Sequence, residues 1–96
     1  MKLYINTSQG EKVVVGIDND KIERESKVQR SQMLLSIINE ELDRRGKKIN
    51  DISEVEVFLG PGSFTGLRVG VSVANAISWS LGVPVNGKKE LVEPIY

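Results

Sequence analysis

The residues best placed to do chemistry lie in one glycine-rich stretch, Gly60-Pro61-Gly62-Ser63-Phe64-Thr65-Gly66-Leu67-Arg68-Val69-Gly70, between an apolar run and a long helical pattern. Backbone N–H groups at the amino end of a helix form a ready anion cradle, which makes Gly60, Gly62, Ser63 and Thr65 the candidate anion-binding loop. The loop does not carry the Lys-Ser/Thr pair of a phosphate-binding P-loop, and its glycines are spaced one residue too widely for the dinucleotide fingerprint. Gly62 directly precedes Ser63, so the spacing of a nucleophile elbow is not met either. The competing reading is a tight turn that uses glycine for unusual backbone angles, with Ser63 or Thr65 capping the helix and contributing about 1 kcal/mol.

Composition closes off much of the remaining chemistry. The 96 residues include no cysteine and no histidine, which removes thiolate nucleophiles, disulfides, sulfur metal sites and the commonest general base and metal ligand. We therefore nominate no catalytic residue, no metal ligand and no cofactor, with ATP admitted only at an interface shared with another subunit. An enzymatic alternative would place nucleotide between Asn6, Thr7 and Ser8 and the Gly60–Gly62 loop. Thirteen basic side chains balance thirteen acidic ones, so no global field draws in nucleic acid or an anionic membrane. An RNA-binding alternative would rely on Arg44, Arg45, Lys47, Lys48, Lys88 and Lys89, whose other reading is a set of solvated cations near helix ends.

The elements that must hold the loop can be read from periodicity. Leu3-Tyr4-Ile5 and Val13-Val14-Val15 with Ile17 predict two antiparallel strands joined through Gln9-Gly10. The turn cluster Asp18-Asn19-Asp20 leads into a polar edge strand, Lys21 to Glu25. A helix follows from about Gln29 to Arg45, with Leu34, Ile38 and Leu42 spaced by four, Met33, Leu35 and Ile37 beside them, and Gly46 suited to a left-handed cap. Val55 to Leu59 reads as a buried strand parallel to the first. Then come the glycine loop, a helix from about Thr65 to Leu81 closed by Gly82, and Val83-Pro84-Val85 as a fifth strand. Lys89-Glu90-Leu91 could start another helix before Pro94 interrupts it. The order βββαβαβ predicts one α/β domain over residues 1–96, with a mixed five-stranded sheet whose first and fourth strands are adjacent.

The start, Met1-Lys2 running straight into Leu3-Tyr4-Ile5, is unlike a signal peptide and predicts a cytoplasmic protein. The charge-free stretch from Val69 to Gly87 is broken by Ser72, Asn75, Ser78, Ser80, Pro84 and Asn86, which argues for a buried helix and strand and against a membrane span.

Both helices are apolar over wide arcs. The second also carries Gly66, Gly70, Ala74 and Ser78 at four-residue spacing, a stripe that lets another backbone approach closely. Two readings stand open: the helices cover each other and the sheet, or they pack against another subunit. The second reading nominates Met33, Leu34, Ile37, Ile38, Gly66, Gly70, Val73, Ala74 and Ile77 as a partner interface. Trp79 is expected to fill core or interface, Phe64 to anchor the loop, and Arg68 to pair locally with a carboxylate or carbonyl.

As a string, Gly60-Pro61-Gly62-Ser63-Phe64-Thr65-Gly66-Leu67-Arg68 closely resembles the signature of the TsaB family, also called YeaZ. Ile5-Asn6-Thr7-Ser8, Arg30 to Leu35 and Gly82-Val83-Pro84-Val85 extend the likeness along the chain. The resemblance implies an RNase H-like half-domain of the actin-like ATPase superfold. It also implies a non-catalytic role supporting a TsaD-type transferase in threonylcarbamoyladenosine modification of transfer RNA. The TsaE-type ATPase is then a further partner, a TsaC-type synthase supplies the adenylate, and helices mediate self-association. A self-assembling half-protein is the other alternative. Three departures stand out: Asn6 replaces the family's usual aspartate, Arg30 replaces a common histidine, and a second lobe is expected to be missing.

Overall fold

The computed structural model describes residues 1–25 and 31–95. Gln29 and Arg30, at the expected helix opening, and Tyr96 lie outside them. Strand β1 (Lys2–Gln9) pairs antiparallel with β2 (Lys12–Ile17), which pairs antiparallel with β3 (Asp20–Glu25), while β4 (Glu54–Val57) joins β1 in parallel. The sheet order is β3-β2-β1-β4. Alternation along the strands sorts the two faces: Leu3, Ile5, Val13, Val15, Val55 and Val57 are buried. Lys2, Tyr4, Lys21, Glu54 and Glu56 line the opposite, open face, where Lys2 pairs with Glu56 and the Lys21 ammonium lies 4.1 Å from the Tyr4 ring centroid.

Helices α1 (Ser31–Arg44) and α2 (Phe64–Leu81) pack together on the apolar face. Their buried side chains, among them Leu34, Ile38, Leu42, Val71, Ala74 and Ile77, join the strand residues in one core. The wide apolar arc of α1 is thus met by the sheet on one side and by α2 on the other. Each helix ends as glycine chemistry dictates. Gly46 and Gly82 take φ of 64° and 66°, and Lys47 and Val83 donate back to the carbonyls of Leu42 and Ser78.

The sheet has four strands, not five. Val83-Pro84-Val85 makes a single bridge to β4, Val55 to Val85, because Asn86 and Gly87 with φ of 52° and 75° turn the chain back at once, so that Val85 also bridges Lys88. Val55 N–H donates to Pro84 O at 2.9 Å, and the Asn86 side chain then takes the place of the next strand residue opposite Val57. Nor does Lys89-Glu90-Leu91 start a helix. The tail is held on α2 without helical or strand structure of its own: the Asn75 carboxamide bonds both the N–H and the C=O of Val92, and Ile95 N–H reaches Leu59 O.

A buried carboxylate ties α1 to the sheet edge. Glu41 is 1% exposed and bonded to three guanidinium groups: Arg45 at 2.7 Å, Arg44 at 2.9 Å and Arg24 of β3 at 3.2 Å. Arg45 also pairs with Asp20 at the start of β3. The hydrogen bond from Arg45, reinforced by Arg44, holds the Glu41 carboxyl below the ordinary glutamate range against the opposing effect of burial. The folded pKa lies below the unfolded one. The contribution is therefore complete above the ordinary value of about 4.3 and is lost as pH falls through the depressed folded value. Glu41→Gln is expected to lower unfolding free energy at neutral pH by about 2 kcal/mol, and to flatten the acid limb of the stability curve, both read by urea titration across pH.

Candidate functional site

The glycine loop is built by the need to bring α2 against the end of β1. Leu3, Ile5 and Thr7 share one face of the strand by period-two alternation, so the Thr7 hydroxyl points into the core and requires an acceptor. It finds one in the backbone: Thr7 Oγ1 donates to the Gly66 carbonyl, a short hydrogen bond. A Cβ on Gly66 would overlap the Thr7 carbonyl oxygen, and one on Gly70 would overlap Thr7 Oγ1. A Cβ on Gly62 would come within 2.6 Å of the Ser8 Cβ. These glycines are therefore required by a backbone-to-backbone approach inside the chain.

The same approach engages three backbone donors around the start of α2, one of them, Ser63 N–H, from the candidate loop. Ser63 N–H donates to Ser8 O at 2.9 Å, Gly66 N–H to the capping hydroxyl of Ser63 at 3.3 Å, and Leu67 N–H to Ser63 O at 2.8 Å. Of the four candidate loop residues, Gly60 has φ of 120° and faces the Ile95 carbonyl, Gly62 sits on Ser8, and Ser63 caps α2. Thr65 is exposed. At the end of β1, Asn6 Oδ1 accepts from both Ser8 N–H, at 3.0 Å, and Ser8 Oγ, at 2.6 Å. The side chain standing where the resembled family has an acid is thus occupied in a local turn. Among the described residues no group of three or more His, Cys, Asp or Glu side chains is arranged to hold a metal ion.

The nominated interface residues divide unevenly. Leu34, Ile37, Ile38, Val73, Ala74 and Ile77 are buried in this chain's own core, and Gly66 and Gly70 are buried against β1. Met33 alone of the nine is exposed, at 46%. The small-residue stripe approaches a backbone, as its spacing suggested, but the backbone is that of β1. Exposed apolar surface lies elsewhere: Phe64 at 56%, with Arg68 stacked on its ring at 5.4 Å, and Trp79 at 80%. Trp79 is not core, and the contact the structure gives Arg68 is this ring. Met33 and Leu35 are exposed on α1. Phe64, Arg68, Thr65 and Val69 line a groove of roughly 260 Å³ with Ser31 and Ser72. The basic cluster at the end of α1 is partly neutralised, since Arg44 and Arg45 are committed to Glu41.

The sequence pattern leaves Glu41 unmarked, and it marks Thr7 only as a nucleotide contact of the enzymatic alternative, not as the hydroxyl that seats α2. Thr7 carried a usable signal, a polar residue continuing the inward parity of Leu3 and Ile5, with glycines four apart waiting for a partner. Glu41 sits in the apolar arc beside Ile37, Ile38 and Leu42, and only the arginines at 44 and 45 hint that it is buried as a charge.

Residues 22–91 match the profile of the family described as TsaD, tRNA N6-adenosine threonylcarbamoyltransferase. The tRNA threonylcarbamoyladenosine biosynthesis protein TsaB of Bacillus subtilis (strain 168) is 44% identical over 41 residues, 43% of this chain and 18% of that protein. A tRNA N6-adenosine threonylcarbamoyltransferase of Geotalea uraniireducens (strain Rf4) is 36% identical over 56 residues, 58% of this chain and 16% of that protein. The structure of YeaZ from Pseudomonas aeruginosa superposes with a TM-score of 0.74 at 24% identity, over 88% of this chain and 41% of that one, a likeness of fold. This chain thus spans well under half the length of the relatives it matches.

The fit between Thr7 and the glycines gives a direct test. Alanine ordinarily stabilises a helix interior relative to glycine by about 1 kcal/mol. Here Gly70→Ala is expected to destabilise by about 1–3 kcal/mol through overpacking against Thr7 Oγ1. In a Thr7→Ala background the same change should cost much less, and a double-mutant cycle by urea denaturation measures the difference.

Proposed function

Because this chain belongs to the TsaD family, tRNA N6-adenosine threonylcarbamoyltransferase, with TsaB and YeaZ proteins among its relatives, we propose that it is a non-catalytic subunit supporting a TsaD-type transferase in threonylcarbamoyladenosine modification of transfer RNA. It works by shape, offering the outer faces of α1 and α2 to the transferase, while a TsaC-type synthase and a TsaE-type ATPase supply the remaining chemistry. Its place is the cytoplasm, and no described helix is long and apolar enough to cross a membrane.

The observation that carries this reading is the apolar surface left on two helices whose core-facing sides are already covered. Met33 and Leu35 on α1 and Phe64 and Trp79 on α2 are exposed. Aromatic side chains of this kind are the commonest anchors of protein interfaces. The polar groups beside the loop fit the same reading, since Thr7 Oγ1 and Ser8 O bond Gly66 O and Ser63 N–H at the start of α2, while Asn6 accepts from Ser8 within β1. In place of the buried interface residues nominated from the sequence, we assign the contact to Met33 and its exposed apolar neighbours. Self-association through the same faces is a second use of that surface, in competition with the transferase.

The test is a reconstitution. With the transferase, synthase, ATPase and transfer RNA of one organism, adding this chain is expected to raise the yield of threonylcarbamoyladenosine, and the chain should co-purify with the transferase. Met33→Asp and Phe64→Ala should leave thermal unfolding near that of the parent while weakening capture by about 2 kcal/mol each. Unchanged capture by both variants would remove the assigned surface. Failure of the unmodified chain to bind the transferase or raise the yield would remove the proposed role.

A further inference from the structure

Asn86 and Gly87 are the one Asn-Gly pair in the sequence, and they form the two-residue turn that ends the run after α2. Val85 and Lys88 on either side exchange two backbone hydrogen bonds, at 2.8 and 2.9 Å. From this fixed turn the Asn86 side chain reaches the outer edge of β4. Val57 N–H donates to Asn86 Oδ1 at 2.8 Å, and Asn86 Nδ2 donates to Val57 O at 3.0 Å. One carboxamide thus closes the sheet edge as a residue of a fifth strand would, satisfying both polar groups of Val57.

Asn-Gly is also the dipeptide in which the following backbone nitrogen meets least hindrance in reaching the side-chain carbonyl carbon, because glycine has no Cβ. We propose that Asn86 is a deamidation site whose reaction is gated by this clasp. In the reaction the Gly87 nitrogen forms a bond to Asn86 Cγ and the Cγ–Nδ2 bond breaks. Ammonia leaves with the proton given up by the Gly87 N–H. Water then opens the resulting succinimide at either carbonyl, giving aspartate or isoaspartate. Water is the only co-reactant, and Gly87 is exposed to it.

In the folded chain Val57 holds both ends of the carboxamide and the Val85–Lys88 pair holds the turn, so the side chain must leave β4 before Cγ can turn toward the Gly87 nitrogen. Neither product rebuilds the clasp. An aspartate carboxylate has no donor for Val57 O and sets a negative charge beside it. Isoaspartate carries the main chain through the former side chain and takes the pairing group away. Each opening that goes to completion is therefore a one-way loss of the edge closure beside Val57.

The test follows deamidation at Asn86 by peptide mass and isoaspartate content, incubating the whole chain at mildly alkaline pH in native buffer and in denaturant. Modification at Asn86 should be at least about tenfold slower in native buffer, as local-opening protection requires. Asn86→Asp, the direct product, should lower the denaturation midpoint and speed hydrogen exchange at the Val57 amide. Equal rates in the two buffers would overturn the gating, and no isoaspartate at residue 86 in the denatured chain would overturn the site itself. An Asn86→Asp chain with unchanged midpoint and Val57 exchange would overturn the one-way loss.

Discussion

The fit of one hydroxyl between two glycines sets the height of α2 on the sheet. Thr7 is buried because it continues the inward parity of Leu3 and Ile5, and a buried hydroxyl without an acceptor would cost about 1–3 kcal/mol. The Gly66 carbonyl accepts it only because neither Gly66 nor Gly70 has a side chain to hold the helix away. Once α2 sits this low, the loop before it must lie flat on Ser8, which is why Gly62 has no room for a Cβ and why Ser63 bonds both to Ser8 O and to the first turn of the helix. Packing against β1 accounts for the glycines at 62, 66 and 70 of this loop and helix start.

Spending the small-residue stripe inside the chain changes what is left for a partner. The wide apolar arcs of α1 and α2 are consumed by each other and by the sheet, and the residue types that remain outward are larger: Met33, Leu35, Phe64 and Trp79. The opposite end of α1 is fixed by Glu41, whose three arginines join the helix to β3, so the apolar faces are presented on a frame anchored at both ends. That anchoring also engages Arg44 and Arg45 with a carboxylate of this chain, and the net charge of the whole sequence is balanced.

Much of this architecture was legible because local chemistry and global pattern agreed. Gly10, Gly46 and Gly82 mark chain reversals with positive φ, Ser63 caps α2, and alternation in the strands sorts the two faces of the sheet. The misreadings share a cause, which is that side-chain pairing across the fold overrode local pattern. Val83-Pro84-Val85 reads as a strand by residue type, but the Asn86-Gly87 turn, itself a strong hairpin signal, stops it after one bridge. The helix expected near Lys89 gives way to a tail without regular structure, in which Asn75 supplies both hydrogen bonds to Val92. Trp79 is apolar yet outward, and helical periodicity on α2 could not decide this while apolar residues pointed in several directions. Of the two readings the helices left open, the burial of eight interface candidates fits the one in which α1 and α2 cover each other and the sheet, because the glycine stripe meets the backbone of β1.

Amide hydrogen exchange along the α2–β1 seam tests the internal use of that stripe most directly. The account predicts that Gly70, Val71 and the inner residues of β1 are among the slowest-exchanging amides of the isolated chain, and that their protection is the same at high and low protein concentration. Protection at these amides that fades on dilution, or that arises only when a partner is added, would contradict it, because the stripe would then be seating another molecule.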